Sequence, residues 1–126
     1  MGRKTIVAAI VAVTLLVPMA APAGAATVLD SHCSASGDFC TFVIRKDSGV
    51  VVFRMRAFAN YFGRVDACVR KETLVCHRRA PHRDHGLFVW SIRWQGNYPN
   101  EGPGEYTMTW RDGALRIGPR LFFTRG

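Results

Sequence analysis

The densest run of chemically capable side chains in this 126-residue chain is Cys76-His77-Arg78-Arg79-Ala80-Pro81-His82-Arg83-Asp84-His85. Its residue types support two kinds of chemistry. His82, Asp84 and His85, with His77 close by in sequence, offer imidazole and carboxylate ligands for a divalent metal. Arginines crowd that donor set and repel a cation, and the His-Arg-Asp-His spacing matches no recurrent ligand pattern, so metal is the weaker alternative. The arginines themselves suggest the other chemistry. Forked guanidinium groups bind phosphates and carboxylates through paired, charge-assisted hydrogen bonds. A connection between two strands would present Arg78, Arg79 and Arg83 as an anion-binding loop. The plain reading of the same run is a solvated connection.

Catalytic constellations are sparse. A secreted basic nuclease needs a base, an acid and a phosphate-binding cation held on rigid elements. Every histidine except His32 falls in the one run above, while Glu72, Glu101 and Glu105 fall at turns. No nucleophile elbow, no H-E-x-x-H and no phosphate-binding glycine loop occurs. The expectation is a non-catalytic protein without a cofactor, with a secreted basic hydrolase or toxin as the alternative. Trp90, Trp94, Trp110, Phe53, Tyr61 and Phe62 are the residue types of a stacking platform for sugars or bases. The three tryptophans, however, fall on the inward phase of their strands, where a single core needs them. Phe122 is out of phase with Leu121 and Phe123 and reads as an exposed edge contact.

The beginning of the chain states where this chemistry takes place. Arg3 and Lys4, the apolar run Ile6 to Val17, then Pro18 and the small-residue stretch Ala23-Gly24-Ala25-Ala26 make a secretory signal peptide over residues 1–26, helical and removed from the mature protein. No second long apolar run follows, so the mature form has no membrane span and is expected outside the cell. Residues 27–126 are one domain, of a size for one modest core. Without Arg3 and Lys4, fifteen basic residues stand against nine acidic ones, a charge of +6. That charge suits an anionic cell-wall or surface polymer or a partner protein. Nucleic acid is not favoured, since the arginines are dispersed at strand positions such as Arg54, Arg56, Arg93 and Arg116. An oxidising compartment makes disulfides of the four cysteines. Of the three possible pairings, Cys33–Cys40 and Cys68–Cys76 join near neighbours, and Cys68 and Cys76 lie symmetrically about Glu72, where a hairpin turn would set them opposite each other.

The mature segment alternates apolar and polar residues throughout and shows no helical period. Phe42 and Ile44 oppose Thr41, Val43 and Arg45; beyond the Lys46-Asp47-Ser48-Gly49 turn, Val51, Phe53, Met55 and Ala57 alternate with Val52, Arg54 and Arg56. A second, disulfide-tied hairpin spans Gly63 to Arg78. Phe88, Trp90, Ile92 and Trp94 share a face, as do Tyr106, Met108 and Trp110, and Asp112-Gly113 closes a hairpin into Leu115 and Ile117. Gly118-Pro119 puts a kink or bulge into the last strand. Strands at roughly ten-residue spacing indicate an all-β antiparallel sandwich.

The closing segment R-W-x-x-N-Y-P-N-E-G-P-G-E-Y-T-M-T-W, followed by R-D-G-A-L-R-I-G-P-R-L-F-F, resembles the last strands of small secreted immunoglobulin-like proteins of filamentous soil bacteria, an uncharacterised group. Cys68-Val69 with Cys76 is similar to that group's central pair. The resemblance covers roughly two thirds of the mature segment and implies an immunoglobulin-like β-sandwich and a compartment, not an activity. Gly104-Glu105-Tyr106 resembles a tyrosine corner, which makes Tyr106 structural, as Trp90, Trp94 and Trp110 are. Secreted copper carriers share such a closing hairpin but require a histidine near the mature N-terminus and another in the chain. Here only His32 is near that point.

Overall fold

The structure, a computed structural model, describes residues 26–126. The expected signal segment and its helix lie outside the described residues, apart from Ala26. The described chain forms nine strands: β1 (Thr27–Cys33), β2 (Phe39–Arg45), β3 (Val51–Ala57), β4 (Val65–Arg70), β5 (Leu74–Arg79), β6 (His82–Asp84), β7 (Leu87–Arg93), β8 (Gly104–Asp112) and β9 (Leu115–Arg125). They make two antiparallel sheets, ordered β1-β2-β3-β7-β6 and β5-β4-β8-β9. The described residues are all-β, as their period-two alternation requires. Among the described residues no helix is long and apolar enough to cross a membrane.

Three expected hairpins supply much of this architecture. β2 and β3 pair from Phe39↔Ala57 to Arg45↔Val51 around the Lys46–Gly49 turn. β4 and β5 pair around Lys71–Thr73, which sets Cys68 opposite Cys76. β8 and β9 turn after Asp112↔Leu115, with Gly113 in the left-handed region at φ +62°. The kink expected at Gly118-Pro119 is a bulge. Met108 pairs with Leu121 and Trp110 with Ile117, so β9 spends two more residues than β8 between these pairs. Both disulfides are formed as the spacing suggested, Cys33–Cys40 between β1 and β2 and Cys68–Cys76 between β4 and β5. No cysteine among the described residues is free. Two such bonds fit an oxidising environment.

The inner faces of the two sheets meet in one core. Phe53, Met55, Trp90, Ile92 and Trp94 from the first sheet pack with Val65, Ala67, Tyr106, Met108, Trp110, Leu121 and Phe123 from the second. All three tryptophans are at most 2 % exposed, as their phase implied. The Trp90 indole donates to the Gly63 carbonyl at 2.7 Å. The indole nitrogens of Trp94 and Trp110 have no partner among the described residues. Tyr98 is also buried, and its hydroxyl donates to the Ala67 carbonyl at 2.6 Å. Burial holds that phenol neutral far above its ordinary range.

Tyr106 closes the crossover between the sheets. Its hydroxyl donates to the Gly102 carbonyl at 2.7 Å and accepts from the Glu101 amide at 2.8 Å, the arrangement of a tyrosine corner. Its ring stacks on Phe123 at 5.1 Å and meets Trp94 edge-on at 5.6 Å.

Two stability measurements probe these features. Tyr106→Phe keeps the stacked ring but strands a partly buried amide and carbonyl, so urea unfolding should show a loss of about 1–3 kcal/mol. Replacing Cys68 and Cys76 together by Ser opens a closed loop of sequence separation 8, and should cost about 2–3 kcal/mol by loop entropy while leaving the far-ultraviolet spectrum unchanged.

Candidate functional site

The run Cys76–His85 is not one loop, and this corrects the site expected from the sequence. Cys76 to Arg79 end β5, and His82 to Asp84 form β6, an edge strand of the other sheet; only Ala80 and Pro81 connect them. Pairing with β4 places Arg78 opposite Asp66 and Arg79 opposite Val65, so the two side chains leave opposite faces of the strand. Arg78 faces outward, with its Nε 3.5 Å from the Asp66 carboxylate. Arg79 donates to the Arg78 carbonyl at 3.0 Å. Arg83 belongs to the other sheet, with its guanidinium 4.6 Å from the centre of the Phe88 ring. The three arginines do not converge on one anion.

The histidines separate for the same reason. His77 points inward from β5; its Nε2 donates to the Asn97 carbonyl at 2.6 Å and its ring meets Tyr98 edge-on. His82 pairs with Val89 on the β6 edge. His85 occupies the tight turn before Gly86 with φ +51° and is held by the Asp84 carboxylate at 2.6 Å. Among the described residues no group of three metal-ligating side chains comes together.

What does converge is a set of arginines drawn from all four strands of one sheet. On the outer face of the β5-β4-β8-β9 sheet, Arg78 pairs with Asp66, Asp66 with Arg111, and Arg111 with Arg116, in one row across all four strands. Arg70 on β4 lies two rows further on, opposite Thr107. Arg120, in the β9 bulge, comes onto the same face. Arg70, Arg111, Arg116 and Arg120 line a shallow groove of about 370 Å³ together with Thr107 and Thr109, and Cys68 and Leu74 form the rest of its wall. The lattice of the sheet fixes the spacing of these cations. Neighbouring strands are about 4.8 Å apart and successive outward residues about 6.8 Å apart along a strand.

The electrostatics of the face are one-sided. Five arginines share it with one paired acid, Asp66, while Glu105 lies at the far end of β8, opposite Thr124. Arg111 is braced by a 3.1 Å bond to the Ala114 carbonyl. Arg70, Arg116 and Arg120 are exposed and make no ion pair among the described residues. Their guanidinium groups therefore keep their donors available, and the threonine hydroxyls add neutral ones. The face can hold several negatively charged groups at once.

The end of the groove rests on Glu101. Its Oε1 accepts from the Glu72 amide at 2.9 Å and the Thr73 amide at 3.2 Å, which caps the β4–β5 turn between Arg70 and Leu74. These two backbone bonds hold the carboxyl below its ordinary value of 4.5.

No family model, curated protein or solved structure matches this chain.

The Glu101 cap has a signed pH dependence. A carboxyl with a lowered folded pKa stabilises the fold above its unfolded value, and that contribution is lost as pH falls through the lower folded value. Melting temperatures of the parent and Glu101→Gln should differ most near neutrality and converge on acidification below pH 4.5.

Proposed function

We propose that this protein is a secreted, non-catalytic binding domain that holds an anionic surface polymer on the arginine face of its β5-β4-β8-β9 sheet. The observation that carries this reading is the convergence of Arg70, Arg78, Arg111, Arg116 and Arg120 on one sheet face, four of them lining a single groove. A flat array of forked cations at sheet spacing suits a flexible chain with repeated phosphate, sulfate or carboxylate groups, because each arginine takes one group without a shaped pocket. The face carries one exposed aromatic ring, Phe122 opposite Thr107, and a single ring does not make a platform for successive unstacked bases, which favours such a polymer over single-stranded nucleic acid. The expected signal segment supports secretion, and the two disulfides accord with it.

The architecture supports an immunoglobulin-like assignment. With β2, β3, β7 and β6 taken as strands A, B, E and D, and β5, β4, β8 and β9 as C′, C, F and G, the order of both sheets is that of the immunoglobulin Greek key, preceded by the extra strand β1. Tyr106 then sits near the start of strand F, where a tyrosine corner belongs. The disulfides depart from the antibody pattern, since each ties a hairpin within one sheet and none crosses the core. The binding reading is preferred to a hydrolase because His77 is turned into the core edge while His82 and His85 sit on the far side of the other sheet.

Co-sedimentation with purified anionic wall polymer across a salt series tests the proposal. Each polymer phosphate contacted contributes about 0.7–0.9 to the slope of log affinity against log salt, so replacing Arg70, Arg116 and Arg120 by Ala should lower that slope by about 2–3. Thermal stability should stay within about 0.5 kcal/mol of the parent, since these are exposed charges. A triple variant with the parent's affinity and slope would refute the assignment of the face.

A further inference from the structure

A second concavity lies on the other sheet, at the pole where β2 begins and β3 ends. It measures about 150 Å³ and is walled by Gly37 and Asp38 of the β1–β2 turn, Arg56 and Ala57 of β3, Phe58 just beyond, and Leu87 at the start of β7. Its two loops are fixed side by side, because the Phe58 amide donates to the Asp38 carbonyl at 3.3 Å. The Cys33–Cys40 bond anchors the turn from behind. This is a built recess, not a gap between mobile segments.

Its polar groups are uncommitted. The Asp38 carboxylate has no hydrogen-bond or ionic partner among the described residues. The Arg56 guanidinium sits 4.8 Å from the centre of the Phe42 ring, and its N–H groups likewise meet no acceptor. Beside them Phe58 is 65 % exposed. The chain thus presents an acceptor-only group, a donor-only group and an aromatic ring around one small recess.

We propose that this recess binds a single neutral sugar ring. A pyranose has an apolar C–H face, which an aromatic ring covers, and a rim of hydroxyls that each donate and accept. Neighbouring hydroxyls are the groups that satisfy a carboxylate and a guanidinium together, one donating to Asp38 and the other accepting from Arg56. The two protein charges cancel, so the recess selects a neutral ring over the polyanion drawn to the arginine face. At about 150 Å³ the recess has the size of one partly inserted ring. The site stands on different residues and a different sheet from the arginine groove, so either could fail alone.

Titration of the disulfide-intact protein with glucose, galactose, mannose and N-acetylglucosamine, followed by heteronuclear NMR, tests it. At least one sugar should shift the resonances of Asp38, Arg56 and Phe58 saturably, with an affinity that salt leaves unchanged. Phe58→Ala should weaken that binding about five- to a hundredfold, Phe58→Trp should retain it, and Asp38→Asn should weaken it. The Arg70, Arg116 and Arg120 triple variant should bind the sugar as the parent does. Absence of saturable shifts at this pole with all four sugars, or binding that survives Phe58→Ala, would overturn the proposal. Binding that weakens steeply with salt would overturn it too, by showing that the ligand is read as charge.

Discussion

Through one phenol group Tyr106 joins the core, the sheet crossover and the groove. Its ring is stacked on Phe123 and wedged against Trp94, so the inner faces of the sheets fix where its hydroxyl must lie. That hydroxyl takes the Glu101 amide and the Gly102 carbonyl. Glu101, positioned in this way, turns its carboxylate onto the amides of Glu72 and Thr73 and so holds the β4–β5 turn. Arg70 and Leu74 flank that turn, and both line the arginine groove. A packing interaction at the centre thus reaches the outer surface through two consecutive hydrogen-bonded steps.

Alternation accounts for the rest of the surface. With no helix among the described residues, each strand has only two sides, and the core claims one of them. The other phase makes the outer faces of the sheets. Arginine suits these positions because its stem covers the apolar neighbours that a sheet face always retains while its head stays wet. Val52 and Val89, on the outer phase of the first sheet, are buried in this way in register with the arginines of β3 and β7. Exposed edges are managed by charge and contact. β6 carries His82, Arg83 and Asp84, and β1 lies along β9, where the Asp30 carboxylate accepts the Phe122 amide at 2.9 Å.

Features set by near neighbours in the chain were legible in the sequence. The three hairpins, both disulfides, the bulge at Gly118-Pro119 and the inward tryptophans all follow from period and turn chemistry within short spans. β1 escaped because its alternation breaks at a bulge between Val28 and Asp30. β6 escaped because its three residues are polar and exposed, so that only the backbone of β7 makes it a strand. The single loop expected at Cys76–His85 failed for a related reason. Richness in His and Arg suggested a loop, whereas Arg78 and Arg79 alternate on an edge strand. Of the three arginines expected to bind an anion, Arg78 alone belongs to the face; Arg116 was read only as a dispersed strand position, and Arg70, Arg111 and Arg120 were not singled out. Their outward phase could be read strand by strand, but their convergence depends on β4 lying beside β8. The pairing of Asp66 with Arg111 joins parts of the chain that no local pattern connects.

The two cross-links also bear on how the molecule is made. Each closes a loop of sequence separation 7 or 8, and the second cysteine of each pair follows the first with no other cysteine between them. As the chain emerges N-terminus first, the nearest available partner is always the native one. Cys33 and Cys40 can join before Cys68 appears, and the other two sulfurs then have only each other. Local hairpins of this kind form in microseconds, far faster than thiols oxidise. Oxidation can therefore follow structure hairpin by hairpin, because each native partner is also the nearest cysteine in the sequence.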